Sequence, residues 1–389
     1  MNMTKRREVP EEIKILQGNE AIVEGAVAAG CRFFAGYPIT PASEIAELMA
    51  QILPQVNGVF MQMEDEIASI CATIGACFGG MMACTASSGP GISLMQEGVG
   101  YAAAVEAPIV IINVMRGGPG TGMPTAPSQQ DIMQAKYGSH GDYEIIALMP
   151  SSCQEAFELT YKAFALAQQY RVPVYVLADE IVGHTREKVR IPDGLAPVER
   201  KKPLKKEDYK PFRAGPDGLL DGMPAFNEGY KLLIEGQLHD EGGNRAAHLP
   251  EICERLTERL CKKIVNNADR LYDFETCFLN DAEVVVISFG SPSRPAVRAV
   301  KDARQKGIRA GYVKIRTIWP FPGEKIVELA RGAHTLIVPE LNIGKMVKEM
   351  KCAAAGQMEV VSLPKLGGLL HTPREILEEV EKRATPCTP

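Results

Sequence analysis

Three carboxylates stand side by side in the first quarter of the chain, at Glu64, Asp65 and Glu66. The residues that follow them, 67–72, are mostly small and apolar, so a carboxyl group here would be shielded from water and suited to relay a proton. Helix N-termini also favour carboxylates, so capping explains one or two of the three. The apolar neighbours favour a role as proton-relay acid for a carboxylate of the three that is not a helix cap.

A hydroxyl group is held in the segment Tyr37-Pro38-Ile39-Thr40-Pro41. Two prolines restrict the backbone around Thr40, so its hydroxyl is oriented with little further loss of conformational entropy. The alternative is that Thr40 caps a helix that begins near Ala42. The residues alone leave both interpretations open.

A glycine-rich turn lies at Thr85-Ala86-Ser87-Ser88-Gly89-Pro90-Gly91. It does not match a phosphate-binding loop, because it lacks the Gly-Lys-Ser/Thr ending. Close approach of its backbone to a flat ligand is one interpretation, and a simple tight turn is the other.

An arginine follows the most hydrophobic run of the chain, in Arg116-Gly117-Gly118-Pro119-Gly120-Thr121-Gly122. A guanidinium there can bind a substrate carboxylate through two parallel hydrogen bonds, and the glycines leave room for it. A surface arginine before a flexible loop is the alternative.

Helical and strand patterns alternate around these loops. The strand-like runs are continuously apolar, which predicts an α/β fold with a parallel sheet covered on both faces. Ligands of such sheets bind at the carboxyl ends of the strands, where these loops are expected. The predicted helices are Asn19–Ala29, Ala42–Ile52, Glu66–Phe78, Gly91–Ala103 and Ser151–Gln169, and the predicted strands are Arg32–Phe34, Val59–Met63, Met81–Thr85, Ile109–Met115 and Val172–Leu177.

The amino-acid composition changes in the second half of the chain. Arg186–Arg213 is rich in charge and proline, which predicts a solvated linker, although its basic run could also dock on a partner. In the polar insertion Pro216–Phe274, apolar residues every four positions predict a helix near residues 252–264. His239 and His248 are expected to be ordinary surface histidines. A second α/β unit begins at Ala282.

Composition narrows the class of protein. The chain has 389 residues and a net charge of −5, which favours two domains plus an insertion and does not call for nucleic acid or an anionic membrane. No apolar stretch is long enough for a signal peptide or a membrane span, so we expect a cytoplasmic protein. Ten cysteines include no C-x-x-C, so we expect reduced, buried thiols and no metal site on this chain.

Taken in order, these loops resemble the alpha subunit of 2-oxoacid:ferredoxin oxidoreductases. Any one motif is weak, but the ordered set covers most of the chain and is specific. The insertion, with Gly229-Tyr230 and His239-Asp240, is most similar to the 2-oxoglutarate type. Further matching segments are His140-Gly141-Asp142, Ala178-Asp179-Glu180, Gly183-His184, Arg316-Thr317-Ile318-Trp319-Pro320-Phe321-Pro322 and Pro339-Glu340-Leu341-Asn342.

The resemblance implies a fold and a set of domains. Residues 1–190 would form the thiamine-diphosphate-binding domain of pyrimidine type, and residues 191–280 the linker and insertion. Residues 281–389 would form a transketolase C-terminal-like α/β domain.

The resemblance also implies roles for individual residues. In the family a glutamate hydrogen-bonds the aminopyrimidine of thiamine diphosphate, and a glycine follows it by nine residues, as Gly75 follows Glu66 here. Glu66 is therefore the expected cofactor acid, with Tyr37, Ser88 and Gly89 as further cofactor contacts. Thr40 and Arg116 match positions that contact the 2-oxoacid, with Arg116 on its carboxylate. The expected catalytic residues are Glu66, Thr40 and Arg116.

The partners follow from the same resemblance. A beta subunit is expected to hold the diphosphate, Mg²⁺ and a [4Fe-4S] cluster, with electrons passing to ferredoxin and the acyl group to coenzyme A. Gly120, where the family often has Ser, and the variant stretch Gln129-Gln130-Asp131 leave open whether the substrate is 2-oxoglutarate, pyruvate or a branched-chain 2-oxoacid. A non-catalytic structural or regulatory relative and a lipoamide-dependent decarboxylase are the alternatives from other classes.

Overall fold

The computed structural model describes residues 11–203 and 205–384. Strands and helices alternate along most of it. In chain order the elements are β1 (Glu11–Gln17), α1 (Gly18–Ala28), β2 (Phe33–Gly36), α2 (Ser43–Ile52), β3 (Val59–Gln62), α3 (Glu66–Phe78), β4 (Ala83–Ser87), α4 (Pro90–Leu94), α5 (Gln96–Ala104), β5 (Val110–Gly117), β6 (Met123–Pro127), α6 (Ile132–Tyr137), β7 (Ile146–Leu148), α7 (Cys153–Tyr170), β8 (Val174–Asp179), α8 (Glu180–His184), β9 (Arg186–Pro192), α9 (Pro250–Val265), α10 (Ala268–Leu271), β10 (Phe274–Cys277), β11 (Val284–Ser288), α11 (Ser293–Gln305), β12 (Ala310–Ile315), β13 (Thr317–Trp319), α12 (Gly323–Leu329), β14 (Thr335–Glu340), α13 (Met346–Ala354), β15 (Glu359–Pro364) and α14 (Pro373–Arg383).

The first sheet has the strand order β13-β7-β8-β5-β4-β2-β3, with β6 paired to β5. All pairs from β7 to β3 are parallel, which confirms the predicted parallel sheet. Strand β5 is buried along its whole length, because helices cover both faces. Ile111 packs in one core with α3 and α5, and its neighbour Ile112 packs in another with α1 and α7.

The second sheet has the order β10-β12-β11-β14-β15. Helices α11 and α14 cover one face, where Val284 and Val286 pack. Val285 and Ile287, on the opposite face, join the core that contains Ile111 of the first sheet. Since β13 follows β12 in the chain yet pairs antiparallel with β7 of the first sheet, the two units are joined by a strand as well as by a shared core.

A buried ionic cluster fastens helix α9 to the first unit. Glu106 is fully buried, and it accepts hydrogen bonds from Arg259 at 2.5 Å and from Lys263 at 2.7 Å. Both cations lie on α9, and Lys263 is itself buried. The predicted helix near residues 252–264 is confirmed, and a charge pair anchors it in addition to its apolar face.

Several predictions about the elements were wrong. The segment taken as a linker from Arg186 begins with β9, which pairs antiparallel with β1 along seven residues. The helix predicted at Gly91–Ala103 is two helices, α4 and α5, with Met95 between them. Arg200, in the basic run, is only partly exposed and donates to the carbonyls of Cys77 and Met81. The lysines of the run are exposed as predicted: Lys201, Lys202, Lys205 and Lys206.

Two predictions about polar side chains also need correction. His239 is only 3% exposed, and its ring lies 3.9 Å from the ring of Phe212, so it is not a surface histidine. Burial lowers the pKa of His239. Among the nine described cysteines, all with free thiols, Cys71 and Cys352 are exposed rather than buried, while Cys387 lies outside the described residues. No helix in the described ranges is long and apolar enough to cross a membrane.

Candidate active site

The predicted loops meet at the carboxyl ends of β2, β4 and β5. The guanidinium of Arg116 donates to the carbonyl of Thr40 at 2.6 Å, which ties the loop after β5 to the loop after β2. The hydroxyl of Ser87, at the end of β4, donates to Oε1 of Glu66 at 3.2 Å. A parallel sheet aligns these strand ends, so residues distant in the sequence form one site.

The three neighbouring carboxylates have different environments. Asp65 is the N-cap of α3, where its side chain accepts from the amide of Ala68 at 2.7 Å. Glu64 is exposed, whereas Glu66 is only 4% exposed. Capping therefore accounts for Asp65 alone, and Glu66 is the buried carboxyl group of the three.

The close approach of Glu66 to the glycine-rich turn depends on Gly91. A Cβ atom at this position would lie 2.2 Å from Oε1 of Glu66 and 2.1 Å from the hydroxyl oxygen of Ser87. Both distances are far below van der Waals contact, so any side chain at Gly91 would displace both partners. The turn is therefore built for close packing against the acid.

Arg116 is 5% exposed, so the interpretation as a surface arginine is wrong. Its side chain packs against Gly89, whose φ of +47° lies in the left-handed region. A Cβ atom at Gly89 would lie 3.2 Å from Nε of Arg116. This Nε is buried and has no hydrogen-bond partner within the described residues. Glycine therefore serves both the turn geometry and the packing of the guanidinium.

The loop after β2 lies at the surface of the chain. Tyr37 is 43% exposed and Thr40 is exposed. Helix α2 begins at Ser43 with Ala42 at the N-cap and no side-chain capping bond, so the interpretation of Thr40 as a helix cap is wrong. The backbone of Thr40 holds Arg116, while its side chain is on the open side of the site.

Ser88 lies between the two parts of the site. It is fully buried, and its hydroxyl has no hydrogen-bond partner in the part of the chain that the structure describes. A buried hydroxyl without a partner costs free energy unless a bound group or water satisfies it. Ser88 is thus a candidate ligand contact next to Glu66.

Sequence reasoning assigned no contacts to the polar residues behind the loop of Arg116. Asn113 donates to Asp131 at 3.1 Å, and burial raises the pKa of Asp131. The amide of Gly118 donates to the side chain of Gln130 at 2.8 Å. Asn113 offered a usable signal, because it is a polar residue in the middle of the most apolar strand. Gln130 was noted only as part of the variant stretch 129–131, and nothing in the sequence indicated its contact with Gly118.

Family models match both units of the chain. The model described as "Pyruvate flavodoxin/ferredoxin oxidoreductase, thiamine diP-bdg" matches residues 24–258. The model described as "Pyruvate:ferredoxin oxidoreductase core domain II" matches residues 282–376.

Similar proteins of known name share nearly the whole chain. The 2-oxoglutarate synthase subunit KorA of Methanothermobacter thermautotrophicus is 54% identical over 368 residues, which cover 94% of this chain and 98% of that protein. The ketoisovalerate oxidoreductase subunit VorB of Methanothermobacter marburgensis is 37% identical over 372 residues, covering 95% of this chain and 98% of that protein.

A solved structure has the same fold. It is that of 2-oxoglutarate:ferredoxin oxidoreductase from Magnetococcus marinus with 2-oxoglutarate, coenzyme A and succinyl-CoA bound, and it matches with a TM-score of 0.89 at 29% identity. The match covers 96% of this chain and 66% of that chain, so this chain spans just under two thirds of its length. The chain therefore belongs to the pyruvate flavodoxin/ferredoxin oxidoreductase family, and it is similar along nearly its whole length to a subunit named 2-oxoglutarate synthase KorA.

Proposed function

We propose that this chain is the subunit of a cytoplasmic 2-oxoacid:ferredoxin oxidoreductase that binds the aminopyrimidine of thiamine diphosphate, and that the 2-oxoacid is 2-oxoglutarate. The observation that carries the proposal is the buried carboxylate of Glu66, held by Ser87 beside the linked loops of Arg116 and Thr40. The higher identity to the KorA subunit, 54% against 37% for VorB, supports 2-oxoglutarate over a branched-chain substrate.

The residues at the site fit a flat, hydrogen-bonding group such as the aminopyrimidine. Ser88 has a buried hydroxyl whose partner is missing from the described chain, and Gly89 and Gly91 present backbone without side chains. Glu66 would accept a hydrogen bond from the ring, and Tyr37 would contact the cofactor from the open side. When bound, thiamine diphosphate supplies an acidic carbon that adds to a 2-oxo group and an electron sink for the loss of CO₂.

The chain's own residues would then perform three tasks. Glu66 holds or releases a proton at its carboxylate, and Ser87 fixes which way that carboxylate points. Arg116 binds the substrate carboxylate, because its carbonyl anchor on Thr40 leaves other guanidinium N–H groups to donate. Thr40 donates its hydroxyl to the substrate from the exposed side of the site.

The rest of the reaction belongs to partner chains in this proposal. A beta subunit would hold the diphosphate, Mg²⁺ and a [4Fe-4S] cluster, and ferredoxin would accept the electrons. Support comes from the relatives, which are named as subunits, and from the Magnetococcus marinus enzyme, in which 2-oxoglutarate and coenzyme A are bound. The division into residues 1–190, 191–280 and 281–389 is part of the same proposal.

Reconstitution tests the proposal. The chain is combined with the products of neighbouring genes, and reduction of ferredoxin is followed with 2-oxoglutarate, pyruvate and 2-oxoisovalerate, each with and without coenzyme A. We expect the highest kcat/KM with 2-oxoglutarate and no reduction of ferredoxin without coenzyme A. A preference for another 2-oxoacid would overturn the substrate, and no turnover with any of them would favour a non-catalytic relative. Turnover only with lipoamide would favour the decarboxylase type.

A further inference from the structure

Gln130 holds the loop that carries Arg116. Its side-chain Oε1 accepts a hydrogen bond of 2.8 Å from the amide of Gly118, two residues after the arginine. The ladder between β5 and β6 is irregular here, with a shift in register between Arg116 and Gly117. A side chain therefore holds the backbone at the point where strand pairing becomes irregular.

The C-terminal unit holds Gln130 in turn. The ammonium group of Lys345 donates to the carbonyl of Gln130 at 2.7 Å. Lys345 immediately precedes α13 of the second unit, whereas Arg116 is the last residue but one of β5 in the first unit. The path from Lys345 through Gln130 to Gly118 thus runs from one unit into the candidate substrate loop of the other.

The adjacent Gln129 fixes this path in space. It is fully buried, and its backbone amide donates to the carbonyl of Leu341 while its carbonyl accepts from the side chain of Asn342, both at 3.0 Å. Its side chain accepts from the amide of Leu341 at 3.1 Å and donates to the carbonyl of Phe289 at 3.0 Å. Four hydrogen bonds to the second unit leave little freedom for the residue that follows.

We propose that Gln130 is a positioning residue for Arg116, through which the C-terminal unit sets where the 2-oxoacid carboxylate is bound. The inference rests on the proposed function, because it takes Arg116 as the carboxylate-binding residue. A two-point hydrogen bond between guanidinium and carboxylate tolerates little displacement, so a loop that is free to shift binds the substrate more weakly.

The test uses the full chain in complex with its partner subunits. Gln130→Leu keeps the approximate size of the side chain and removes the acceptor for Gly118. We expect the KM for the 2-oxoacid to rise about ten-fold, while the KM for coenzyme A is unchanged. Gln134→Leu is the matched control, since its side chain donates to Ser93 in an exposed position, and we expect wild-type kinetics.

Lys345 offers a second test of the path. Lys345→Met should raise the same KM by a smaller factor, and the double variant with Gln130→Leu should be no worse than Gln130→Leu alone, because the two residues act in series. Additive effects would overturn the coupling to the C-terminal unit.

Amide hydrogen exchange of a peptide that covers residues 116–122 is independent of activity. In Gln130→Leu the amide of Gly118 should exchange faster than in the wild type, and in Gln134→Leu it should not. Unchanged exchange, or a fall in kcat with both KM values unchanged, would overturn the positioning role. A wild-type complex without turnover on any 2-oxoacid would instead overturn the proposed function, and the exchange experiment would still decide whether Gln130 holds the loop.

Discussion

Oε1 of Glu66 accepts a hydrogen bond of 3.2 Å from the hydroxyl of Ser87, across the gap between the start of α3 and the end of β4. Glu66 is the first residue of its helix and Ser87 the last of its strand. The direction of the carboxylate is therefore determined by packing of a helix on the sheet and not by a mobile loop. This arrangement makes the site sensitive to small changes in its backbone.

Gly91→Ala should reduce turnover strongly. A Cβ atom at Gly91 would lie 2.2 Å from Oε1 of Glu66, so the carboxylate must move away from Ser87. We expect kcat to fall by about 10²-fold, the effect of a small misplacement of a reacting group, with the KM for the 2-oxoacid little changed. Steady-state kinetics of the reconstituted complex measure this.

Gly332→Ala is the matched control for that variant. Gly332 is exposed in the second unit, and a Cβ atom there would lie 3.5 Å from the carbonyl oxygen of Ala282, an ordinary van der Waals contact. Alanine should leave kcat unchanged and raise the free energy of unfolding by roughly 0.4–1 kcal/mol. If both glycine variants lose turnover equally, the specific contact with Glu66 is not the cause.

Arg116→Lys should weaken substrate binding although the charge is kept. A lysine ammonium is a single point of donation and cannot bind a carboxylate through two parallel bonds. We expect the KM for the 2-oxoacid to rise roughly 10- to 100-fold. Arg32→Lys is the control, because Arg32 lies far from the Thr40 loop. It donates to the carbonyls of Cys31 and Val27 just before β2, whereas the Thr40 loop follows the other end of that strand. A KM that stays at the wild-type value in Arg116→Lys contradicts the assignment.

Glu106→Gln should destabilise the fold without touching the site. Both cations lose their charged partner, although the side chain of Lys263 is buried and that of Arg259 is only 16% exposed. We therefore expect a loss of about 3–5 kcal/mol in the free energy of unfolding. The double variant with Lys263→Met should recover part of that loss. Denaturant unfolding at neutral pH measures both.

The ionic cluster of Glu106, Lys263 and Arg259 also predicts how stability depends on pH. Burial alone would raise the pKa of Glu106, but Lys263 and Arg259 outweigh it and lower the pKa from 4.5 to about 2. A lowered carboxyl pKa stabilises the folded state fully above the unfolded value and loses that contribution as the pH falls towards the folded value. The difference between wild type and Glu106→Gln should therefore shrink between pH 4.5 and 2, and a constant difference would contradict it.

His184→Gln should show the opposite dependence. Its Nδ1 lies 2.9 Å from Glu180 and its Nε2 lies 3.4 Å from Glu44, and these carboxylates raise the pKa of His184, the bond to Glu180 most of all. A raised histidine pKa contributes stability below its unfolded value of 6.5 that disappears as the pH rises through the folded value. The variant should lose up to about 1 kcal/mol at pH 6 and less at pH 8.5. Equal losses at both pH values would exclude a charged histidine.

Local patterns predicted much of the fold and of the site. Helix α3 has the predicted bounds, because Asp65 caps it and the small residues after it pack on the sheet. The loops of Glu66, Thr40 and Arg116 lie together as expected, because parallel strands end at one edge.

Features that depend on distant contacts could not be predicted. The ribbon of β1 and β9 joins segments at opposite ends of the first unit, and neither has a pattern that specifies the other. The roles of Gln129 and Gln130 appear only when β14 and the residues after it lie against them. His239 is buried because Phe212 covers its ring, a contact that its neighbours in sequence do not indicate.

Glu66→Gln in the reconstituted complex tests the central claim most directly. Glutamine keeps the size of the side chain and an acceptor for Ser87, but it cannot take up or release a proton. Turnover of 2-oxoglutarate should fall by about 10²- to 10⁴-fold, the range of general acid–base catalysis, with the complex intact by size-exclusion chromatography. Turnover at the wild-type rate would contradict a proton-relay role for this buried carboxylate.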